Sequence, residues 1–123
     1  MFQRILKKLF PVPRWTTWAP TRTGWTDVGS PTVTARYCQI GAIVFFQVKV
    51  IPGTTVATVG GTSYISLPVA AGASGIGGDG SMGNTTVLIS IGNCIFDIAN
   101  SRCYVPSQSA TTATLEITGW YEA

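Results

Sequence analysis

Few residues in this 123-residue chain can do chemistry. Histidine is absent, so neither a Ser-His nor a Cys-His nucleophile can be assembled. The five carboxylates, Asp27, Asp79, Asp97, Glu116 and Glu122, are scattered. Glycoside hydrolysis needs two that face each other. A chance pair such as Asp97 with Glu116 stays open, and single solvated charges on outer strand faces are the plainer reading. Cys38, Cys94 and Cys103 lack the spacing and the histidines of a zinc site. Cys94 and Cys103 could pair across a hairpin; buried free thiols in a reducing cell are the plainer alternative. The expectation is therefore a protein that is not an enzyme, with no metal site and no cofactor.

Three further motifs bear on ligand binding and modification. Gly75-Ile76-Gly77-Gly78-Asp79-Gly80 formally matches GxGxxG. That motif holds phosphate only where it opens a helix, and here the β-prone run Val87 to Ile91 follows. Asp79 beside Ser81 invites calcium, but one carboxylate falls short of the about 6–8 oxygens calcium takes. Asn84-Thr85-Thr86 matches a glycosylation sequon, with nothing else pointing to secretion. The aromatic residues Trp15, Trp18, Trp25, Trp120, Tyr37, Tyr64, Tyr104 and Tyr121 are a sugar-stacking or protein-contact platform on one reading. Core or intersubunit packing is the commoner fate of such residues.

The elements that must position these residues divide at residue 14. Phe2, Ile5, Leu6, Leu9 and Phe10 recur at helical spacing on one face, with Arg4, Lys7 and Lys8 on the other. Pro11 and Pro13 stop that pattern. Residues 1–14 thus read as a basic amphipathic helix or arm, marginal alone and ordered where its apolar face docks. Phe2, Arg4, Ile5, Leu6, Lys7, Lys8, Leu9 and Phe10 are the candidate partner-binding residues, with Trp15 and Trp18 as anchors behind them. The arm holds the basic balance. Residues 15–123 carry four basic and five acidic side chains, a net charge of −1, against +3 for the whole chain. That is not the broad basic footprint of a nucleic-acid-binding domain. Arg4, Lys7 and Lys8 interrupt any signal-peptide core, and no stretch approaches the ~20 apolar residues of a membrane span.

From Trp15 onward the period changes to two. "VTARYCQI" and "AIVFFQVKVI" read as strands joined at Gly41, with Val44, Phe46, Val48 and Val50 on a core face. "TTVATV", "SYISLP", "TTVLISI", "CIFDI", "RCYV" and "ATLEITGWY" follow, each bounded by turn residues. "TTWAPTRTGWTDVGSPTV" is an extended, turn-rich approach, and the glycine-rich residues 70–84 are expected to be an exposed loop. The fold expected over 15–123 is a single antiparallel β-sandwich, jelly-roll-like. Only 11% of residues are charged, against roughly 25% in ordinary domains. So uncharged a surface is usually covered in an assembly.

The body resembles the small β-sandwich domains of bacteriophage virion proteins, found in tail-fibre tips and in head fibres or capsid-decorating proteins. The residues that carry the resemblance are Ala35-Arg36-Tyr37 through Ile40-Gly41 to Val44, Ser66-Leu67-Pro68-Val69-Ala70-Ala71, and Leu115, Ile117, Gly119 and Tyr121. It covers residues 24–123 and contains no catalytic signature. The resemblance implies a homo-oligomer, commonly a trimer, located in the virion. With no fibre shaft before the body, the expectation is a protein that decorates or cements the capsid and attaches through its arm. The alternative is a short tail-fibre or baseplate tip whose partners are tail proteins and a host receptor glycan.

Overall fold

The computed structural model describes residues 14–72 and 77–123, so the helix expected over residues 2–10 lies outside the described residues. In chain order, β1 (Thr16–Thr17), β2 (Arg22–Thr23) and β3 (Thr26–Val28) are short. Two long strands follow, β4 (Thr32–Ile40) and β5 (Ile43–Ile51), then β6 (Thr55–Thr58) and β7 (Tyr64–Ser66). The remainder are β8 (Asp79–Asn84), β9 (Ile89–Asn93), β10 (Ile95–Asp97), β11 (Arg102–Tyr104), β12 (Gln108–Thr111) and β13 (Leu115–Glu122). A single 3-10 turn, Ile98–Asn100, is the one helical element among the described residues.

A six-stranded sheet in the order β1-β4-β5-β13-β8-β9 forms one layer. The other layer consists of β10-β11-β7-β2 and β12-β6-β3. Every pairing is antiparallel, and residues of both layers meet in one core, as the sequence pattern requires of a sandwich. The β4–β5 hairpin sets the register. Ile40 pairs with Ile43 across a two-residue loop, and Gly41 takes φ +60°, a conformation that glycine adopts freely. Alternation then sends Val44, Phe46, Val48 and Val50 inward, all essentially fully buried. They meet Leu115, Ile117 and Tyr121 of β13 on the same layer, and Val56, Ile65 and Cys103 from the other.

Phe46 is the hub of this core. Its ring lies 6.0 Å from Phe96 and Tyr121 and 6.1 Å from Trp18, edge-on or tilted in each case. The residue opposite it on β13 is Gly119, where a Cβ would come within 2.9 Å of the ring. Glycine there is what lets so large a ring lie flat under the sheet. Tyr121 fixes the other end of the strand. Its hydroxyl donates to the Val69 carbonyl (2.7 Å) and accepts from the Val69 N–H (3.0 Å), which satisfies both backbone groups of a segment outside the sheets.

Two expectations are corrected. Residues 70–84 are not one exposed loop: Asp79–Asn84 is strand β8, paired on both sides, with Gly80, Met82 and Asn84 buried. Its composition is poor in β-formers, and pairing between β13 and β9 overrides that preference. The strand read from "TTVLISI" starts only at Ile89. Before it, Thr85 to Leu88 form a hairpin turn with Leu88 at φ +59°. The Asn84 side-chain oxygen accepts from the N–H groups of Thr86 (3.0 Å) and Val87 (3.2 Å), so the sequon asparagine is buried and occupied in holding the turn. Asn84→Ala is expected to cost roughly 1–2 kcal/mol in urea unfolding, since two turn N–H groups lose their acceptor.

Candidate functional site

The residues considered for catalysis are kept apart. Asp97 stands on β10, where it accepts a hydrogen bond from Asn100 (2.8 Å). Glu116 stands on β13 in the other layer, beside Lys49 in register. Asp27 is taken by Arg22 in a two-pronged ion pair (3.0 and 2.9 Å). Among the described residues no three cysteines or carboxylates gather as a metal site. Gly77 and Gly78 lead into strand β8, which contains Gly80, and not into a helix, so the glycine motif offers no helix N-terminus to a phosphate. The cysteines are free and buried. The thiols of Cys94 and Cys103 share a hydrogen bond; that contact and burial push Cys103 well above the ordinary thiol range.

The tryptophans behind the arm lie in different surroundings. Trp18 turns into the core: its ring meets Tyr37 and Phe46 edge-on, and its backbone N–H donates to the Ala35 carbonyl (3.1 Å). Its ring is half-buried against the core, in surroundings different from those of Trp15. Trp25 is half-buried and donates its indole N–H to the Tyr64 carbonyl (3.2 Å). Only Trp15 is exposed among the three, at 43%. Phe2, Arg4, Ile5, Leu6, Lys7, Lys8, Leu9 and Phe10 lie outside the described residues.

Trp15 belongs to a different constellation, on the outer face of the six-stranded sheet. Phe45 pairs with Cys38 on β4 and with Trp120 on β13, and Trp120 pairs with Asp79 on β8. Thr16 pairs with Tyr37, so Trp15 falls beside Cys38 in the same row. Trp15, Phe45 and Trp120 therefore form an aromatic strip across the sheet, 38–43% exposed. The next row is polar. Gln47 pairs with Thr118, Thr118 with Ser81, and Ser81 with Asn93. The two rows border an open groove of about 500 Å³.

Arg36 holds one end of this groove. Its guanidinium lies 4.6 Å from the Trp15 ring centroid, and its Nε donates to the Gln47 side-chain oxygen (2.8 Å). One cation thus fixes both an aromatic plane and an amide. The Gln47 carbonyl is used, which leaves its NH₂ group as the part free to donate. Asp79, Ser81 and Asn93 are exposed along the groove, and Asp79 is the single carboxylate lining it.

The sequence names most of these residues but not their meeting. Alternation assigns Phe45 and Gln47 to the outer face of their strand. The missing information is the register that carries residue 15 across four strands to residue 120. Asp79 and Ser81 were hidden in an apparent loop. No protein-family model, no curated protein and no solved structure matches this chain, so the site is defined by its geometry alone.

Proposed function

We propose that this chain is a structural protein of a bacteriophage virion, a non-catalytic sandwich that decorates or cements the capsid surface and attaches through residues 1–14. The observation that carries the reading is the use to which the fold puts the residues of the virion-domain pattern. Gly41 makes the hairpin that sets the sheet register. Gly119 makes room for Phe46, and Tyr121 ties Val69 to the central strand. The residues of the pattern thus hold this sandwich together. The virion role rests on the sequence resemblance, as an analogy of fold.

Two features fit an assembled protein. Val59, Val87, Leu88, Ile89 and Ile95 are exposed apolar side chains, as on surfaces that a homotrimer or a shell covers. The arm concentrates Arg4, Lys7, Lys8 and Arg14, while the remainder is nearly neutral. A cationic, apolar arm suits an acidic shell that offers an apolar groove.

Removal of residues 1–14 tests the reading. The truncated protein should keep its β-sheet circular dichroism and fail to bind purified particles. Replacing Arg4, Lys7 and Lys8 with Gln should slow association mainly at low salt, because exposed charges are screened over about 8–10 Å. Replacing Leu6 and Leu9 with Ser should raise the off-rate at every salt, each buried Leu being worth roughly 1.5–3 kcal/mol. Full coating of particles by the truncated protein would refute attachment through the arm. Hundreds of copies per particle would fit shell decoration; a few dozen or fewer would place the protein in the tail.

A further inference from the structure

We propose that the groove on the outer face of the six-stranded sheet binds a neutral oligosaccharide, stacked on Trp15, Phe45 and Trp120. The inference concerns the surface of the sandwich and holds wherever in a particle the protein sits.

The match is chemical. A pyranose ring has an apolar face of C–H groups and a rim of hydroxyls. It is bound by an aromatic plane beneath the ring together with amides, carboxylates and hydroxyls at its edge. The groove presents those two halves as adjacent rows. The aromatic row is Trp15, Phe45 and Trp120. The hydrogen-bonding row is Gln47, Thr118, Ser81 and Asn93, closed at one side by Asp79. Trp15 and Trp120 are three strand intervals apart, on the order of 14 Å at ~4.8 Å per interval. That length suits several linked rings better than one.

Charge selects against other ligands. Asp79 is the single carboxylate in the lining, and the Arg36 guanidinium is already engaged by Trp15 and Gln47. Among the described residues, an anionic ligand would meet Asp79 with no cation in the groove lining. A stable contact with a second copy would bury roughly 800 Å² per partner around an apolar centre, whereas half of this face is built to hydrogen-bond. Arg36 also lowers the cost of binding, because the Trp15 ring and the Gln47 amide are oriented before any ligand arrives.

The test is a titration of the full chain with maltohexaose, cellohexaose, mannohexaose and chitohexaose, followed by tryptophan fluorescence and calorimetry. At least one should bind saturably at micromolar to millimolar concentration. Trp120→Ala and Gln47→Ala should each weaken that binding by at least about tenfold, as loss of a central contact does. Thr112→Ala, an exposed change outside the groove lining, should leave it unchanged. If Trp120→Ala proves misfolded by circular dichroism, Gln47→Ala decides, since it changes one amide on an outer face. The proposal is overturned if no member of the panel saturates at millimolar concentration, or if Gln47→Ala binds like the parent. It is equally overturned if Trp120→Ala lowers the mass in solution, which would make this face a contact between copies.

Discussion

Phe46→Ala is expected to destabilise the sandwich by about 3–5 kcal/mol, the largest loss from any single truncation in this core. The ring is 1% exposed and touches aromatic residues from three directions, Trp18, Phe96 and Tyr121. Tyr121 cannot collapse into the vacated space without leaving Val69, nor the Trp18 ring without leaving Tyr37. The cavity therefore stays open, and the cost lies at the upper end for such changes. Gly119→Ala should be destabilising by itself, because the new Cβ meets the Phe46 ring and the Asp79 carbonyl, each at 2.9 Å. Combined with Phe46→Ala, half of that conflict is gone. A double-mutant cycle by urea unfolding should find the pair less costly than the two changes added together. Strict additivity would show that Phe46 and Gly119 do not share this space.

Alkaline pH should expose the role of Tyr121. Burial pushes its phenol up to about 12, the Val69 backbone hydrogen bond pulls the other way, and nearby Tyr37 adds to the rise. An unfolded tyrosine ionises near about 10. The folded protein thus resists losing this proton while the unfolded chain gives it up. The stability from this source is complete below about pH 10 and is lost as pH climbs from about 10 to 12, by roughly 2–3 kcal/mol. Tyr121→Phe removes the titration altogether. It also leaves the Val69 N–H and carbonyl without a partner, at roughly 1–3 kcal/mol near neutrality. The gap between parent and variant should therefore narrow above about pH 10. A gap that stays constant to pH 12 would mean the phenol is not held neutral.

Some of this was legible in the sequence, and the reason is physical. Where one face of a strand is buried and the other is not, alternation declares it: Val44, Phe46, Val48 and Val50 are unmistakable, and so is the corner at Gly41. Strand β8 was illegible because its inward positions are Gly80, Met82 and Asn84, which by composition resemble a loop. They form a strand only because two neighbours supply hydrogen bonds on either side. β12, Gln108–Thr111, an edge strand paired only with β6, is illegible because its composition too resembles a loop. The groove was half-legible. Trp15 and Trp120 stood out as aromatic residues, yet nothing local distinguishes Trp15 on the surface from Trp18 in the core three residues later. That difference is made by β1 pairing with β4, a contact between distant parts of the chain.

The place of β13 in the sheet has a consequence for how the molecule is made. Its partners are β5 and β8, and Leu115 pairs with Val50 and Asn84. The centre of the main sheet is thus its last strand to leave the ribosome. Until residue 122 has emerged, β4 and β5 can close their hairpin, but Val44, Phe46, Val48 and Val50 have no β13 beside them. Closing the β5–β13 ladder means bringing together residues far apart in the chain, a slow step because the intervening loop must first lose its freedom. During synthesis an apolar hairpin with an unpaired edge is the exposed species, the kind of template on which chains pair with one another. The sandwich cannot be assembled piecemeal from its N-terminal end; it forms when the final strand enters the middle.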